Sequence, residues 1–108
     1  MLFEPFQLGR ITLRNRIVMA PMTRNRATPD HVPTPIMAEY YAQRATNGLI
    51  ITEGTAPAAD GAGCARIPGL YSAEQVAAWK PVTAAVHVAD GHIFAQLISW
   101  RDCRAVPR

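Results

Sequence analysis

The sequence has no apolar run that approaches the roughly 20 residues of a membrane-spanning helix. It also lacks the basic and then apolar opening of a secretory signal, because Glu4 and Pro5 interrupt the start. We therefore expect a cytoplasmic protein that does not engage a membrane. Its 108 residues, 49% hydrophobic and 18% charged, suffice for one ordinary globular domain at most.

Cysteine and histidine are both scarce. Cys64 and Cys103 form neither a C-x-x-C pair nor the disulfide framework of a small secreted domain, so we predict two free thiols. His31, His87 and His92 have no H-x-x-x-H spacing and no cysteine at zinc-site distance. We therefore do not expect a metal site.

The signatures of nucleic-acid and dinucleotide sites are missing as well. The net charge is +3, yet few aromatic residues that could stack on bases stand near the arginines between Arg10 and Arg26. Gly61 and Gly63 do not begin a G-x-G-x-x-G fingerprint, because Arg66 occupies the place of its third glycine. These absences argue against nucleic-acid binding and a Rossmann site, and leave a weak attraction for phosphate or a dinucleotide open.

What is present begins with an apolar strand between Arg16 and Thr23. Four consecutive apolar residues are typical of a strand that is buried on both faces, and Pro21 must end it because proline cannot donate to a ladder. Chemistry in α/β proteins lies at the carboxyl ends of strands. Pro21, Met22 and Thr23 are therefore candidate site residues.

The residues before this strand predict a short hairpin that covers something larger. Phe6 and Leu8 would pair with Ile11 and Leu13 across a two-residue turn that begins at Gly9, and glycine there suits a type II′ turn. Two strands alone are barely stable in water, so the hairpin needs a body to pack on.

Two helices are predicted from their caps and periodicity. The first begins after Thr34 and would end at Gly48, with Tyr40 and Tyr41 on its buried face. The second begins after Ser72, which forms a capping box with Gln75, and runs toward Asp90. Pro81 falls inside it, so either the helix kinks or two short helices meet.

Two further buried strands accompany these helices. One runs from Leu49 to Thr52 and ends in Glu53, Gly54 and Thr55, where glycine either permits close approach of a ligand or makes a simple turn. The other runs from His92 to Leu97. Its Gln96 would be buried on both faces and so needs a hydrogen-bonding partner from protein or ligand.

The order of elements predicts an α/β protein with a parallel sheet. Long loops follow the strands and short ones follow the helices, which places the site at the carboxyl ends of the strands. A cleft shared by Thr23, Gly54 and Gln96 would offer small surfaces, a hydroxyl and a carboxamide to a planar ligand.

The residues at these positions resemble a known family. The similarity covers Met1 to Leu97 and rests on the following segments: Leu2–Pro5, Leu8–Gly9, Asn15–Arg24, Tyr40–Ala45, Gly48–Thr55, Pro68–Gly69 and Ala95–Leu97. In order and spacing they look like the amino-terminal portion of the Old Yellow Enzyme family, flavin-dependent NAD(P)H oxidoreductases on a (β/α)8 TIM barrel. The resemblance implies about three strands and two helices of that barrel, behind the hairpin.

The resemblance also implies a cofactor and a reaction. Pro21 and Met22 would lie against the FMN ring, Thr23 would hydrogen-bond near its O4, Gly54 would approach its edge and Gln96 would bond its pyrimidine side. The family passes hydride from NAD(P)H through FMN to an activated alkene, such as an α,β-unsaturated carbonyl. No catalytic residue is carried over to this chain.

The chain departs from the family after Leu97. An arginine-rich tail, residues 98–108, replaces the family's Trp-His and Gly-Arg segments, as a truncation or frame change would produce. The later groups that grip the substrate carbonyl and donate a proton are not among the 108 residues, whereas a (β/α)8 barrel needs about 250 residues. We therefore divide the chain into residues 1–97, the amino-terminal part of an FMN-binding barrel, and the divergent tail.

Two other functions remain as alternatives to the oxidoreductase. One is a non-catalytic remnant or assembly module that self-associates through open strand edges and binds flavin weakly or not at all. The other, a stand-alone small α/β binding domain, is less favoured, because nothing in the sequence would cover those edges.

Overall fold

The structure, a computed structural model, describes residues 1–99. Its strands and helices follow in this order: β1 (Phe6–Leu8), β2 (Ile11–Leu13), β3 (Val18–Met19), α1 (Pro35–Ala42), β4 (Leu49–Thr55), a 3₁₀ turn (Ala59–Gly61), α2 (Ala73–Val88) and β5 (Ile93–Leu97). Strands β3, β4 and β5 form one parallel sheet in that order, and β1 and β2 form a separate antiparallel hairpin. The predicted α/β order with a parallel sheet is confirmed.

The hairpin has the predicted register and turn. Leu8 pairs with Ile11, which leaves two residues in the turn, and Gly9 has a φ of +58° as the first of them. Side chains of the hairpin meet Val18 and Leu49, at the amino ends of β3 and β4, around a cavity of about 210 Å³. The hairpin therefore lies across the amino-terminal end of the sheet, opposite the predicted site.

The main core lies between the parallel sheet and the two helices. Its buried side chains are Met19, Ala27, Met37, Tyr41, Ala45, Ile50, Trp79, Val82 and Val86. Because side chains alternate along a strand, the neighbours of these residues point to the other side of the sheet. We call that side the helix-free face and define it by Val18, Ile51, Phe94 and Gln96; Val18 is 46% exposed and Phe94 53% exposed.

The long loops after β3 and β4 pack against each other. Asn25 donates its side-chain amide to the carbonyl of Ala65 at 2.7 Å, and a ring nitrogen of His31 lies 2.8 Å from the carbonyl of Ile67. The backbone N–H of Ala27 donates to the carbonyl of Arg66. These bonds hold both loops at the carboxyl end of the sheet.

Helix α1 ends earlier than the sequence predicted. It stops at Ala42, and residues 43–46 continue in turns rather than reaching Gly48 as a helix. Glycine is required at position 48 because the backbone of Asn15 passes close to it. A Cβ there would lie 2.1 Å from the carbonyl oxygen of Asn15. The Asn15 side chain also accepts the Gly48 N–H at 2.7 Å.

Helix α2 resolves the alternative posed by Pro81. The chain is one continuous helix through that proline, and two short helices are not formed. At its start Ser72 Oγ accepts from the Gln75 N–H at 3.2 Å, while the Gln75 side chain accepts from the Ser72 N–H at 3.1 Å. The capping box is therefore confirmed.

Three further expectations can be compared with the structure. Cys64 is disulfide-bonded, so the prediction of a free thiol was wrong there, and Cys103 lies outside the described residues.

Within residues 1–99 no helix has the length and hydropathy to cross a bilayer. In the same range no group of three or more acidic, histidine or cysteine side chains converges as a metal site would require.

Candidate functional site

The carboxyl edge of the parallel sheet brings two of the predicted site residues, Gly54 and Gln96, to one level. Gly54 of β4 pairs directly with Gln96 of β5. On the other side of β4, Met19 pairs with Ile50 before the β3 ladder ends. Thr23 lies four positions beyond Met19, and its neighbour Arg24 lines a cavity with Glu53, the residue before Gly54.

An irregularity in β4 shapes this edge. The register with β5 shifts between Ile51 and Gly54, so that β4 has one extra residue there. The hydroxyl of Thr52 accepts the backbone N–H of Gln96 at 3.2 Å, and thereby satisfies a donor that the ladder leaves unpaired. The bulge sets the level at which Gly54 and Gln96 meet.

The exposure of the predicted residues follows from their strands. Gly54 is buried and Pro21 half-buried, whereas Met22, Thr23 and Gln96 are exposed. The expectation that Gln96 is buried on both faces was wrong, because β5 is an edge strand of the sheet within residues 1–99 and Gln96 lies on the helix-free face. Within residues 1–99 its carboxamide makes no hydrogen bond, so it remains available to a ligand.

A buried acid that the sequence indicated only as part of a strand end lies beside this edge. Glu53 is only 1% exposed, and its Oε2 accepts a hydrogen bond from the hydroxyl of Tyr41 at 2.6 Å. The same hydroxyl accepts the backbone N–H of Glu53 at 3.0 Å. The two bonds join α1 to β4 at the residue before Gly54. A charged residue directly at the end of a strand predicted to be buried was the signal that could have revealed the pair.

Burial determines the proton affinity of both groups. It raises the pKa of the Glu53 carboxyl, against the opposing effects of the Tyr41 hydroxyl, of a backbone hydrogen bond from Arg24 and of the Arg24 charge. Burial also raises the pKa of the Tyr41 hydroxyl well above its usual range, and the charge of Glu53 adds to the increase. The Tyr41 hydroxyl therefore keeps its proton at neutral pH and donates the hydrogen bond to Glu53.

The loop after β3 reaches this pair through its arginines. Arg24 and Arg26 line a cavity of about 90 Å³ together with Ile36, Met37, Tyr40 and Glu53. The guanidinium carbon of Arg24 lies 5.4 Å from the centre of the Tyr40 ring, which Arg44 also contacts at 3.9 Å. The segment that carries Thr23 is therefore next to Glu53, the residue before Gly54.

Comparison with known proteins agrees with this geometry. Residues 1–104 match the model of the NADH:flavin oxidoreductase / NADH oxidase family. The chain belongs to this family. The predicted resemblance to the Old Yellow Enzyme family is therefore confirmed.

Individual members of the oxidoreductase family are similar over most of the chain. A chanoclavine-I aldehyde reductase of Penicillium roqueforti is 54% identical over 98 residues, which are 89% of this chain and 27% of that protein. The solved old yellow enzyme homologue from Zymomonas mobilis is 59% identical with a TM-score of 0.89, over 91% of this chain and 28% of that one. A morphinone reductase solved in complex with tetrahydroNAD is 47% identical with a TM-score of 0.87, over 91% and 27% of the two chains.

These matches define the fold class. The chain spans about a quarter of the length of the relatives it matches. Its three parallel strands and two helices are the expected part of a (β/α)8 barrel, and residues 1–99 form no closed barrel.

Proposed function

We propose that the carboxyl edge of the parallel sheet binds FMN through Pro21, Met22, Thr23, Gly54 and Gln96. The observation that carries the proposal is the pairing of Gly54 with Gln96 on the edge toward which the parallel strand β3 also runs. Membership of the flavin oxidoreductase family supports the choice of ligand.

The residues at this edge fit the chemistry of one side of a flavin. Met22, 45% exposed, offers apolar surface to a planar ring. The hydroxyl of Thr23 and the carboxamide of Gln96 can each donate and accept, as the polar edge of the ring requires. Gly54 has no side chain to keep a ligand from the backbone. In this proposal Thr23 bonds near the flavin O4 and Gln96 bonds the pyrimidine side.

The proposed activity is that of an NAD(P)H oxidoreductase of the ene-reductase type. Hydride transfer from NAD(P)H to the β-carbon of an activated alkene, such as an α,β-unsaturated carbonyl, is the chemistry that FMN supplies when bound. The complex of morphinone reductase with tetrahydroNAD supports a nicotinamide donor. The residues of this chain bind and orient the cofactor, and we assign none of them a role in holding substrate or donating a proton.

The proposal also covers the division of the chain into two segments and the cellular compartment of the protein. Residues 1–97 are the flavin-binding part, and residues 98–108 are a separate tail that lies almost wholly outside the described residues. The cytoplasm remains the proposed compartment on composition alone. The disulfide at Cys64 is the observation that argues against it, because such bonds are rare in reducing compartments. Fractionation with the flavoprotein detected by antibody would decide the location.

Flavin fluorescence tests the binding site directly. The purified 108-residue chain is titrated into FMN, and quenching reports the Kd. Thr23→Ala and Gln96→Ala should each raise the Kd about 5- to 10-fold, because one lost hydrogen bond costs about 1 kcal/mol. Thr46→Ala is the matched control, since Thr46 is exposed and precedes β4 at the opposite end of the sheet.

The result that contradicts the FMN proposal is equally definite. Absence of quenching by the unmodified chain, or equal Kd values for Thr23→Ala and Thr46→Ala, would refute it. Turnover is measured separately, as NADPH-dependent reduction of cyclohexenone by the FMN-loaded chain. Binding without turnover would support the cofactor site and refute an enzyme active as the isolated chain.

A second candidate function is assembly through the open sheet. Strands β3 and β5 each have one unpaired edge within the described sheet, and Phe94 and Leu97 are 53% and 57% exposed. Edges of this kind pair with other chains. A chain that associates but does not quench FMN would favour the assembly module over the oxidoreductase.

A further inference from the structure

The bulge in β4 contains two buried hydroxyls that bind one carbonyl. Thr52 and Thr55 are 2% and 0% exposed, and each donates its side-chain hydroxyl to the carbonyl oxygen of Glu53, at 3.0 and 2.9 Å. A carbonyl oxygen has two lone pairs, so these two donors satisfy it. The orientation of the Thr52 hydroxyl is therefore fixed, with its proton on the Glu53 carbonyl and its lone pairs left for a donor.

The donor that meets those lone pairs is the backbone of Gln96. Its N–H donates to Thr52 Oγ1 at 3.2 Å, across 44 positions of the chain. The contact falls where the register of β4 and β5 changes, between the pairs Ile51–Phe94 and Gly54–Gln96. A bulge disrupts regular pairing locally. At this level the Thr52 side chain therefore supplies a link between the two strands.

The carboxamide of Gln96 depends on its backbone for its position. Gln96 is exposed on the helix-free face, and within residues 1–99 its side chain makes no hydrogen bond that would hold it. Thr52 lines a cavity of about 110 Å³ together with Trp79 and Thr83 of α2, so its side chain lies on the helix side of the sheet. Thr52 can thus influence a ligand on the helix-free face through Gln96, without touching that ligand.

We propose that Thr52 is a positioning residue for the FMN site, because its hydroxyl holds the backbone N–H of Gln96 and so sets the level of the Gln96 carboxamide beside Gly54. The inference rests on the proposed FMN site, since Gln96 is the residue that would bond the flavin. A displacement of about 0.5 Å takes a hydrogen bond out of its usual range of distances. The requirement at position 52 is for a hydroxyl: valine has a similar shape but no acceptor, whereas serine keeps the acceptor.

The primary test needs no flavin. Amide hydrogen exchange, followed by NMR in the 108-residue chain, reports the protection of the Gln96 N–H. Thr52→Val should make this proton exchange about 5-fold faster, because the acceptor is removed, and Thr52→Ser should restore most of the protection. Thr83→Val is the matched control, since it makes the same substitution on the α2 wall of the same cavity, where the hydroxyl donates to Lys80 within the helix.

Local loss of the bond and global unfolding are distinguished within each sample. The Ile50 amide donates to the His92 carbonyl at 2.8 Å in the regular part of the ladder, and its exchange should change less than that of Gln96. If Thr52→Val fails to fold, the unmodified chain provides the test. A nuclear Overhauser effect should then join the Gln96 amide proton to the Thr52 β-proton, and its absence would overturn the inference.

FMN affinity provides the second readout. Thr52→Val should raise the Kd about 3- to 5-fold, and Thr52→Ser should return it close to that of the unmodified chain. In a chain that already carries Gln96→Ala, Thr52→Val should add nothing, because it acts through Gln96. A merely structural role of Thr52 would instead lower the affinity in both backgrounds.

The outcomes separate this inference from the FMN proposal. If the Gln96 amide exchanges equally fast in Thr52→Val and Thr83→Val, Thr52 does not position Gln96 and the inference is wrong. An equal loss of FMN affinity from Thr52→Val with and without Gln96→Ala would also overturn it. If no chain binds FMN but Thr52→Val speeds exchange of the Gln96 amide and Thr52→Ser restores its protection, the FMN site is refuted while the control of Gln96 by Thr52 stands.

Discussion

Glu53 connects the charge state of a single carboxyl to the stability of the fold. It is enclosed between α1 and β4, and its folded-state pKa is raised chiefly by burial. The folded chain therefore holds the proton more tightly than the unfolded chain does. Stability is fully present below the ordinary pKa of glutamate, about 4.5, and declines as the pH rises through the higher value of the folded state.

Glu53→Gln should remove that pH dependence. We expect the free energy of unfolding of the unmodified chain to fall as the pH rises from 4.5, and that of the variant to change less over the same range. Urea unfolding at a series of pH values measures it. Glu39→Gln, on the exposed side of α1, is the control, and a variant that keeps the full slope would show that another group is responsible.

Tyr41→Phe should destabilise the chain by about 2 kcal/mol. It removes the donor to Glu53 Oε2 and the acceptor of the Glu53 N–H, and leaves both buried groups unpaired. Tyr40→Phe is the matched control on the neighbouring residue, whose ring is only half-buried. Equal unfolding midpoints for the two variants in urea would mean that the Tyr41 bonds contribute little.

Glycine at position 48 illustrates how a correct residue can suggest the wrong reason. Its place after a helical pattern favoured a helix end, yet α1 stops at Ala42. The structure requires glycine because the backbone of Asn15 passes where a Cβ would be. Residues 33 positions apart make this contact, so no local pattern could reveal it.

At the scale of elements, α2 depends on its amino-terminal cap. Ser72→Ala should cost about 1 kcal/mol, because the Gln75 N–H would lose its acceptor at the first turn. Ser72→Asp restores an acceptor and should recover most of the loss. Thr83→Ala on the same helix is the control, since its hydroxyl donates only to Lys80 one turn back. Thermal unfolding measures all three, and an equal loss for Ser72→Ala and Thr83→Ala would contradict the capping role.

The elements themselves were largely predictable from local chemistry. The hairpin turn, the capping box and the strand from Leu49 each follow from residues within a few positions of one another. The strand predicted between Arg16 and Thr23, β3, is shorter than expected and covers only Val18–Met19, because its ladder with β4 ends there. Boundaries of this kind depend on the neighbouring strand rather than on the sequence of the element.

At the scale of the molecule, the assembly proposal is tested on the helix-free face, where Phe94 is 53% exposed. Phe94→Asp places a charge on it and should reduce any self-association that the open sheet supports. Sedimentation velocity over a range of concentrations measures the effect. Val88→Asp is the control, because Val88 is 88% exposed at the end of α2, away from the sheet. Equal association of both variants would show that the sheet is not the contact.

The sequence by itself determined the class of fold, the family and the candidate positions Pro21, Met22, Thr23, Gly54 and Gln96. These depend on residue order, on strand and helix periodicity, and on segments whose spacing the family shares. A binding role for the five positions remains a prediction.

Only the tertiary structure decided which of these positions share one edge, that Gln96 is exposed, and that Glu53 is enclosed beside Tyr41. The physical reason is that burial and hydrogen bonding are set by partners distant in the chain. A carboxylate in a strand has the same local sequence whether it faces water, a tyrosine or an arginine. Its environment exists only once α1, β4 and the loop after β3 have come together.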